Sequence, residues 1–144
     1  MSQRPGRTPH IRSRARSWAL QLLYGWELTG DGTPSEYAVS ALRHRRMSER
    51  YRPHVEHILS LVEENLTAID ELLEQTMPNW KLGRLAAIDR NVLRIGIAEL
   101  LYADEIPPKV AIHEAIRLAG RYGSEESTRF VNGVLDAVHR KVAV

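Results

Sequence analysis

Apolar positions recur every three or four residues along nearly the whole chain, the spacing that lines one face of an α-helix. Ala15, Trp18, Ala19, Leu22, Leu23 and Trp26 predict a helix over 13–28, ended by Thr29-Gly30-Asp31-Gly32. Ser35 is placed to cap a second helix over 36–47. Ser48 is placed to cap a third, with Pro53 in its early turns and Val55, Ile58, Leu59 and Val62 as its stripe. Thr67, with Asp70 three residues on, resembles a capping box and opens a short helix that ends near Met77-Pro78. Residues 82–103 are the most apolar. Leu85, Ile88, Val92 and Ile95 form one face and Leu93, Ile97, Leu100 and Leu101 a second, the pattern of a central helix. Pro107-Pro108 restarts the chain, Val110, Ile112, Ile116, Leu118 and Ala119 follow, and Gly123 closes that helix. Ser124 is placed to cap a last helix whose inner stripe is Val131, Val134, Leu135 and Val138. No stretch alternates with period two for more than a few residues. The expected fold is all-α, with about seven helices.

The chain has 144 residues, 43% of them hydrophobic and 26% charged, the profile of one ordinary globular domain. Residues 1–11, with Pro5, Gly6 and Pro9 among arginines, read as a flexible basic arm, and 12–144 as a single all-helical domain. The absence of cysteine excludes a disulfide framework, a thiolate zinc site and a cysteine nucleophile. No apolar run approaches 18 residues, so no transmembrane helix is expected, and Trp18–Tyr24 is too short for a signal peptide. The cytoplasm is the expected location.

Net charge is only +2, but it is unevenly spread. Residues 1–26 hold five arginines and no acid; residues 43–52 hold five more arginines and one glutamate. The rest of the chain is acidic. Arginine outnumbers lysine 17 to 3. Its planar fork suits phosphate and its face stacks on bases. Arg12, Arg14 and Arg16, continuing from Arg4 and Arg7, form a segment that can follow a phosphate backbone. Arg43, Arg45, Arg46, Arg50 and Arg52 form a second cluster, for which an RNA contact and a solvated helix surface are both open.

Catalysis finds little support. There is no glycine-rich phosphate loop and no serine in a nucleophile elbow. His54 and His57 stand one turn apart without a third ligand at suitable spacing, so no metal is expected. Glu63-Glu64 and Glu125-Glu126 diverge by about 100° on a helix and read as solvated faces. No cofactor is implied. Two aromatics are oddly placed. On the first helix Tyr24 falls opposite the apolar stripe, either meeting another part of the fold or waiting for a partner. On the last helix Phe130 sits at the edge of the stripe, where it is core rim or a platform for a base.

These residues carry a resemblance. Arg14-Ala-Arg-Ser-Trp-Ala-Leu-Gln-Leu-Leu-Tyr24, Asn79-Trp80, Ile88-Asp-Arg-Asn-Val-Leu-Arg-Ile-Gly96, Ile106-Pro-Pro-Lys-Val-Ala-Ile-His-Glu-Ala-Ile116 and Gly123–Asp136 resemble, in order, motifs of the NusB family of transcription antitermination factors. The motifs cover most of 12–136; residues 31–64 match only in helical character. The resemblance implies two small packed helical bundles forming one domain. It implies a non-catalytic protein that binds single-stranded boxA RNA of ribosomal leader transcripts together with the ribosomal protein NusE. That complex joins RNA polymerase and other Nus factors to suppress premature termination. By the same resemblance Arg12, Arg14, Arg16 and Phe130 face RNA, and Tyr24 and Asp89 face NusE. The chain departs from the family pattern at Ser13, Ser17, Gly83 and His113, and the lost acid at Gly83 leaves the partner surface resting more on Asp89. Two other readings are weighed. The chain is the helical RNA-binding part of a ribosomal RNA methyltransferase system, or a structural adaptor whose outward aromatics mediate self-association. Whether it forms a homodimer is left open.

Overall fold

A computed structural model describes residues 7–142. Seven α-helices and two short 3-10 turns account for the regular structure, and no strand is present among the described residues. The helices are α1 (Arg7–Thr29), α2 (Pro34–Leu42), α3 (Arg52–Glu64), α4 (Leu66–Thr76), α5 (Ala87–Tyr102), α6 (Pro108–Tyr122) and α7 (Ser127–Val142). The chain gathers into two compact units, one up to Ser60 and one from Leu61, with the boundary inside α3. No described helix is long and apolar enough to cross a membrane.

In the first unit α1 begins at Arg7, six residues before the predicted start. Residues 7–11, read from sequence as part of an arm, are therefore helical; Pro9 falls in the first turn, where its missing N–H is no loss. Arg4 and the rest of the arm lie outside the described residues. Ala15, Ala19, Leu22 and Leu23 are fully buried, as their spacing predicts. The stop lies where the glycines put it. Gly30 (φ +71°) and Gly32 (φ +67°) take left-handed backbone conformations that a β-carbon disfavours, and Trp26 Nε1 donates to the Gly32 carbonyl at 2.9 Å.

Thr33, not Ser35, caps α2. Its hydroxyl accepts from the Glu36 amide while Glu36 Oε1 accepts from the Thr33 amide at 2.9 Å, a reciprocal capping box. The helix stops at Leu42 rather than Met47. Four successive cationic or imidazole side chains, Arg43 to Arg46, supply no apolar face to bury, and Arg43 and Arg46 would stand as like charges three residues apart on one helix face. Met47 and Tyr51 bury themselves instead, and a 3-10 turn over Glu49–Tyr51 packs against α1. Ser48 precedes that turn without a side-chain cap.

In the second unit α5 packs against α4, α6 and α7, and every residue from Asn91 to Glu99 is buried. A side chain at Gly96 would meet Leu135 Cδ1 at 2.8 Å and Ala115 Cβ at 3.3 Å, so the absence of one lets three helices close in. The buried run includes Arg94, 6% exposed. Its guanidinium donates to both carboxylate oxygens of Asp70 on α4, at 2.9 and 3.0 Å, and to Asn91 Oδ1 at 3.0 Å. Asp70 is thus a partner in a fork-to-fork ion pair and not the end of a capping box; α4 opens after Asn65 with no side-chain cap. Ser124 likewise does not cap α7 from its hydroxyl, and the helix starts three residues later, at Ser127.

Two stability measurements follow. Asp70→Ala strands a buried guanidinium and should cost about 2–3 kcal/mol, somewhat below a fully enclosed pair because Asp70 is partly exposed, seen as a Tm lower by roughly 5–10 °C. In urea titrations Thr33→Ala should cost about 1 kcal/mol and Ser35→Ala less than half of that; the reverse order would put the cap at Ser35.

Candidate nucleic-acid and partner interface

The first unit presents the basic start of α1. Arg14 is exposed and its Nε donates to His10 Nε2, one turn earlier, at 2.8 Å. Arg12 is half-buried. Arg16 is 3% exposed and engaged within the protein. Of the three arginines singled out in the sequence, Arg12 and Arg14 therefore reach solvent, while Arg16 lies beneath them. The field they create is felt by His54 on α3. Burial first, then the charges of Arg12, Arg16 and His57, hold its pKa below the ordinary histidine value. Among the described residues no group of three or more metal-ligating side chains is assembled. Ser17, one of the departures, turns its hydroxyl back to the Ser13 carbonyl at 3.4 Å.

Further along α1, Tyr24 is 38% exposed. Leu28, one turn on, is 70% exposed, so an apolar strip continues past the tyrosine on the same helix face.

In the second unit Asp89 and Phe130, 41 positions apart in the chain, line one cleft of about 280 Å³ together with Trp80, Arg84, Ser124 and Ser127. Each wall is fixed by a local device. Arg90 Nη1 donates to the carbonyls of Leu82 and Leu85 at 3.1 and 2.8 Å and so ties the 3-10 turn over Leu82–Arg84 to the start of α5. Met77, Leu82 and Leu85 anchor the same segment in the core, leaving Trp80 58% exposed between them. On the opposite wall Ser127 Oγ accepts from the Ser124 amide at 2.9 Å. A β-carbon on Gly123 would collide with the Ser127 side chain, so glycine permits that tight turn into α7. Phe130, in the first turn of α7, then meets Trp80 with ring centroids 6.0 Å apart and planes tilted by 60°.

Asp89 stands in the first turn of α5. Its Oδ1 is buried and has no hydrogen-bond partner. A buried acceptor without a donor costs about 1–3 kcal/mol, so Asp89, itself only half-buried, is the unsatisfied polar group on the cleft wall. Trp80 and Arg84 had no assigned role in the sequence; the signal was the Asn79-Trp80 pair, whose meaning depends on Phe130 lying opposite. Gly83 is exposed with nothing within 4 Å of where a side chain would begin, so the missing acid there is not a steric requirement.

Comparison with known proteins agrees with this architecture. Residues 13–140 match the NusB family. The chain is 38% identical over 133 residues to the transcription antitermination protein NusB of Desulfosudis oleivorans, covering 91% of this chain and 86% of the relative. It is 42% identical over 127 residues to NusB of Sorangium cellulosum, covering 88% and 90%. Among solved structures, T. maritima NusB superposes with a TM-score of 0.79 at 35% identity, covering 90% of this chain and 91% of that one. A complex of the antitermination factors NusB and NusE with double-stranded RNA matches with a TM-score of 0.78 at 27% identity, covering 92% and 98%. The family match over nearly the full length, on an all-helical frame, places this chain in the NusB family of non-catalytic transcription antitermination factors.

Proposed function

We propose that this chain binds boxA-type single-stranded RNA jointly with NusE, and through that complex helps RNA polymerase, with other Nus factors, to resist premature termination in the cytoplasm. The observation that carries the reading is the unpaired Asp89 oxygen beside the Trp80–Phe130 pair. Among the described residues nothing completes that acceptor, and the aromatic pair lies beside it in the same cleft. The solved relative that holds NusE and RNA together supports the same pairing of ligands.

The parts divide the work by their chemistry. Arg12 and Arg14 attract phosphates and set most of the affinity, with Arg16 adding charge from below. Phe130, backed by Trp80, offers a face on which a base stacks. Asp89 supplies a negative counter-charge to a basic ribosomal protein, and Tyr24 an aromatic anchor. Because Asp89 and Phe130 line one cleft, RNA and protein partner meet there. A protein partner that satisfies Asp89 brings its own surface against RNA stacked on Phe130 in the shared cleft, which makes binding cooperative in both directions.

Replacing Arg12 and Arg14 together by alanine should flatten the dependence of log affinity on log salt by about 1.4, at about 0.7 per single-strand contact. Arg16→Ala should instead lower the melting temperature. An unchanged slope in the double variant would remove the start of α1 from the RNA site. For the partner, Asp89→Lys and Tyr24→Asp should each fold normally and bind NusE at least about tenfold more weakly, since loss of an interface anchor costs 2 kcal/mol or more. Titration calorimetry against NusE that shows undiminished affinity in both would sink the assignment.

A further inference from the structure

The second arginine cluster is a concentration of charge that the proposed RNA site leaves unused. Arg43, His44, Arg45 and Arg46 follow α2 without an intervening acid, Arg50 lies four residues further on, and all five are exposed. Glu49 is the one acid between 43 and 52, and its carboxylate is already occupied. Arg52 donates to it from Nε at 3.0 and 3.1 Å and from Nη2 at 2.9 Å, and also reaches Glu56 at 3.9 Å. Arg52 is neutralised in this way. Arg43, Arg45, Arg46 and Arg50 have no carboxylate within ion-pair distance among the described residues. Arg50 lies over the Tyr51 ring at 5.3 Å, a contact that steers the guanidinium without cancelling its charge.

Tertiary structure decides where this charge ends up. The 3-10 turn that carries Arg50 packs against α1, with Tyr51 buried in the contact. The same turn runs directly into α3, and His54 in the first turn of α3 lies within the field of Arg12 and Arg16. Two basic segments some thirty residues apart in the chain therefore border one another in the first unit.

We propose that the 43–50 segment continues the RNA track begun by Arg12 and Arg14, and that it holds the phosphodiester backbone of single-stranded RNA flanking the portion bound at α1. The inference rests on the RNA-binding reading above. RNA is the occupant and not an acidic protein because positions 43–46 offer charge alone. Met47 and Tyr51 beside the cluster are buried and Leu42 is half-buried; Val39, 63% exposed on α2, is a small aliphatic side chain and not the large apolar or aromatic anchor around which a protein interface is built. A phosphate backbone needs no such anchor. The contact is sequence-independent: it lengthens the footprint and steepens the salt dependence without choosing bases.

The test uses the full chain and fluorescence titrations over a range of salt. The probes are a boxA-type strand of about 12 nucleotides and the same strand carrying about ten uridines at one end or the other, which add phosphates with little base preference. The wild-type protein should bind one extended strand several-fold more tightly than the short one at low salt. Arg43→Ala with Arg45→Ala and Arg46→Ala should lose that gain, lower the salt slope on the extended strand by about 2, and bind the short strand unchanged. The corresponding triple Arg→Lys variant keeps the charge and should keep both the gain and the slope. No gain from either extension, or a gain the alanine variant retains, overturns the inference while short-strand binding upholds the RNA reading. If neither extension helps but poly-glutamate binds and is released by the triple alanine change, the segment belongs to an acidic protein. Failure of the wild-type chain to bind any of the strands, with or without NusE, removes the RNA reading and this inference with it.

Discussion

Burial of α5 is the constraint from which the second unit follows. Nine consecutive residues of that helix are shielded from water, and one of them is an arginine. A guanidinium cannot be left bare in such surroundings, so the carboxylate that meets it must come from a neighbouring helix at a fixed height and angle. Asp70 meets it from α4 with both oxygens, and Asn91 accepts a further donor from within α5. Gly96 then lets α6 and α7 both approach α5 at the point where a side chain would stand. Hydrophobic area supplies the drive to bury α5, and the ion pair fixes the rotation at which α4 lies against it.

The cleft is a by-product of that rigid frame. Arg90 and Ser127 each satisfy backbone groups at the ends of elements and hold two turns against a helix that cannot move. The aromatic pair and the unpaired Asp89 oxygen are presented by those turns. A site held this way is organised before its ligands arrive, which reduces the ordering cost of binding. The small destabilisation of an orphan carboxylate oxygen is recovered when a donor reaches it.

Electrostatics in the first unit follows a different logic. Its arginines carry little of the fold, apart from Arg16, and are collected on a surface by the packing of apolar neighbours such as Tyr51. A phosphate chain responds to charge density over several ångströms, within the screening length of physiological salt, and this is the physical basis on which the two clusters are proposed to act together.

The helices were legible because burial along one face leaves a period of 3.6 in any sequence, and the same logic exposed Tyr24 as a residue out of place. The family motifs located Arg12, Arg14, Asp89 and Phe130 one at a time. Local chemistry misled where two local partners competed. Thr33 and Ser35 both suit a cap, and only the chain path after Gly32 chose Thr33. Thr67 and Asp70 have capping spacing, yet Asp70 found a stronger partner 24 residues away in Arg94. The burial of Arg16, the meeting of Trp80 with Phe130 and the bordering of two arginine clusters were decided by tertiary structure alone. Each depends on the distance between residues far apart in the chain, and a helical period records which face is apolar but not what that face, or its opposite, will meet.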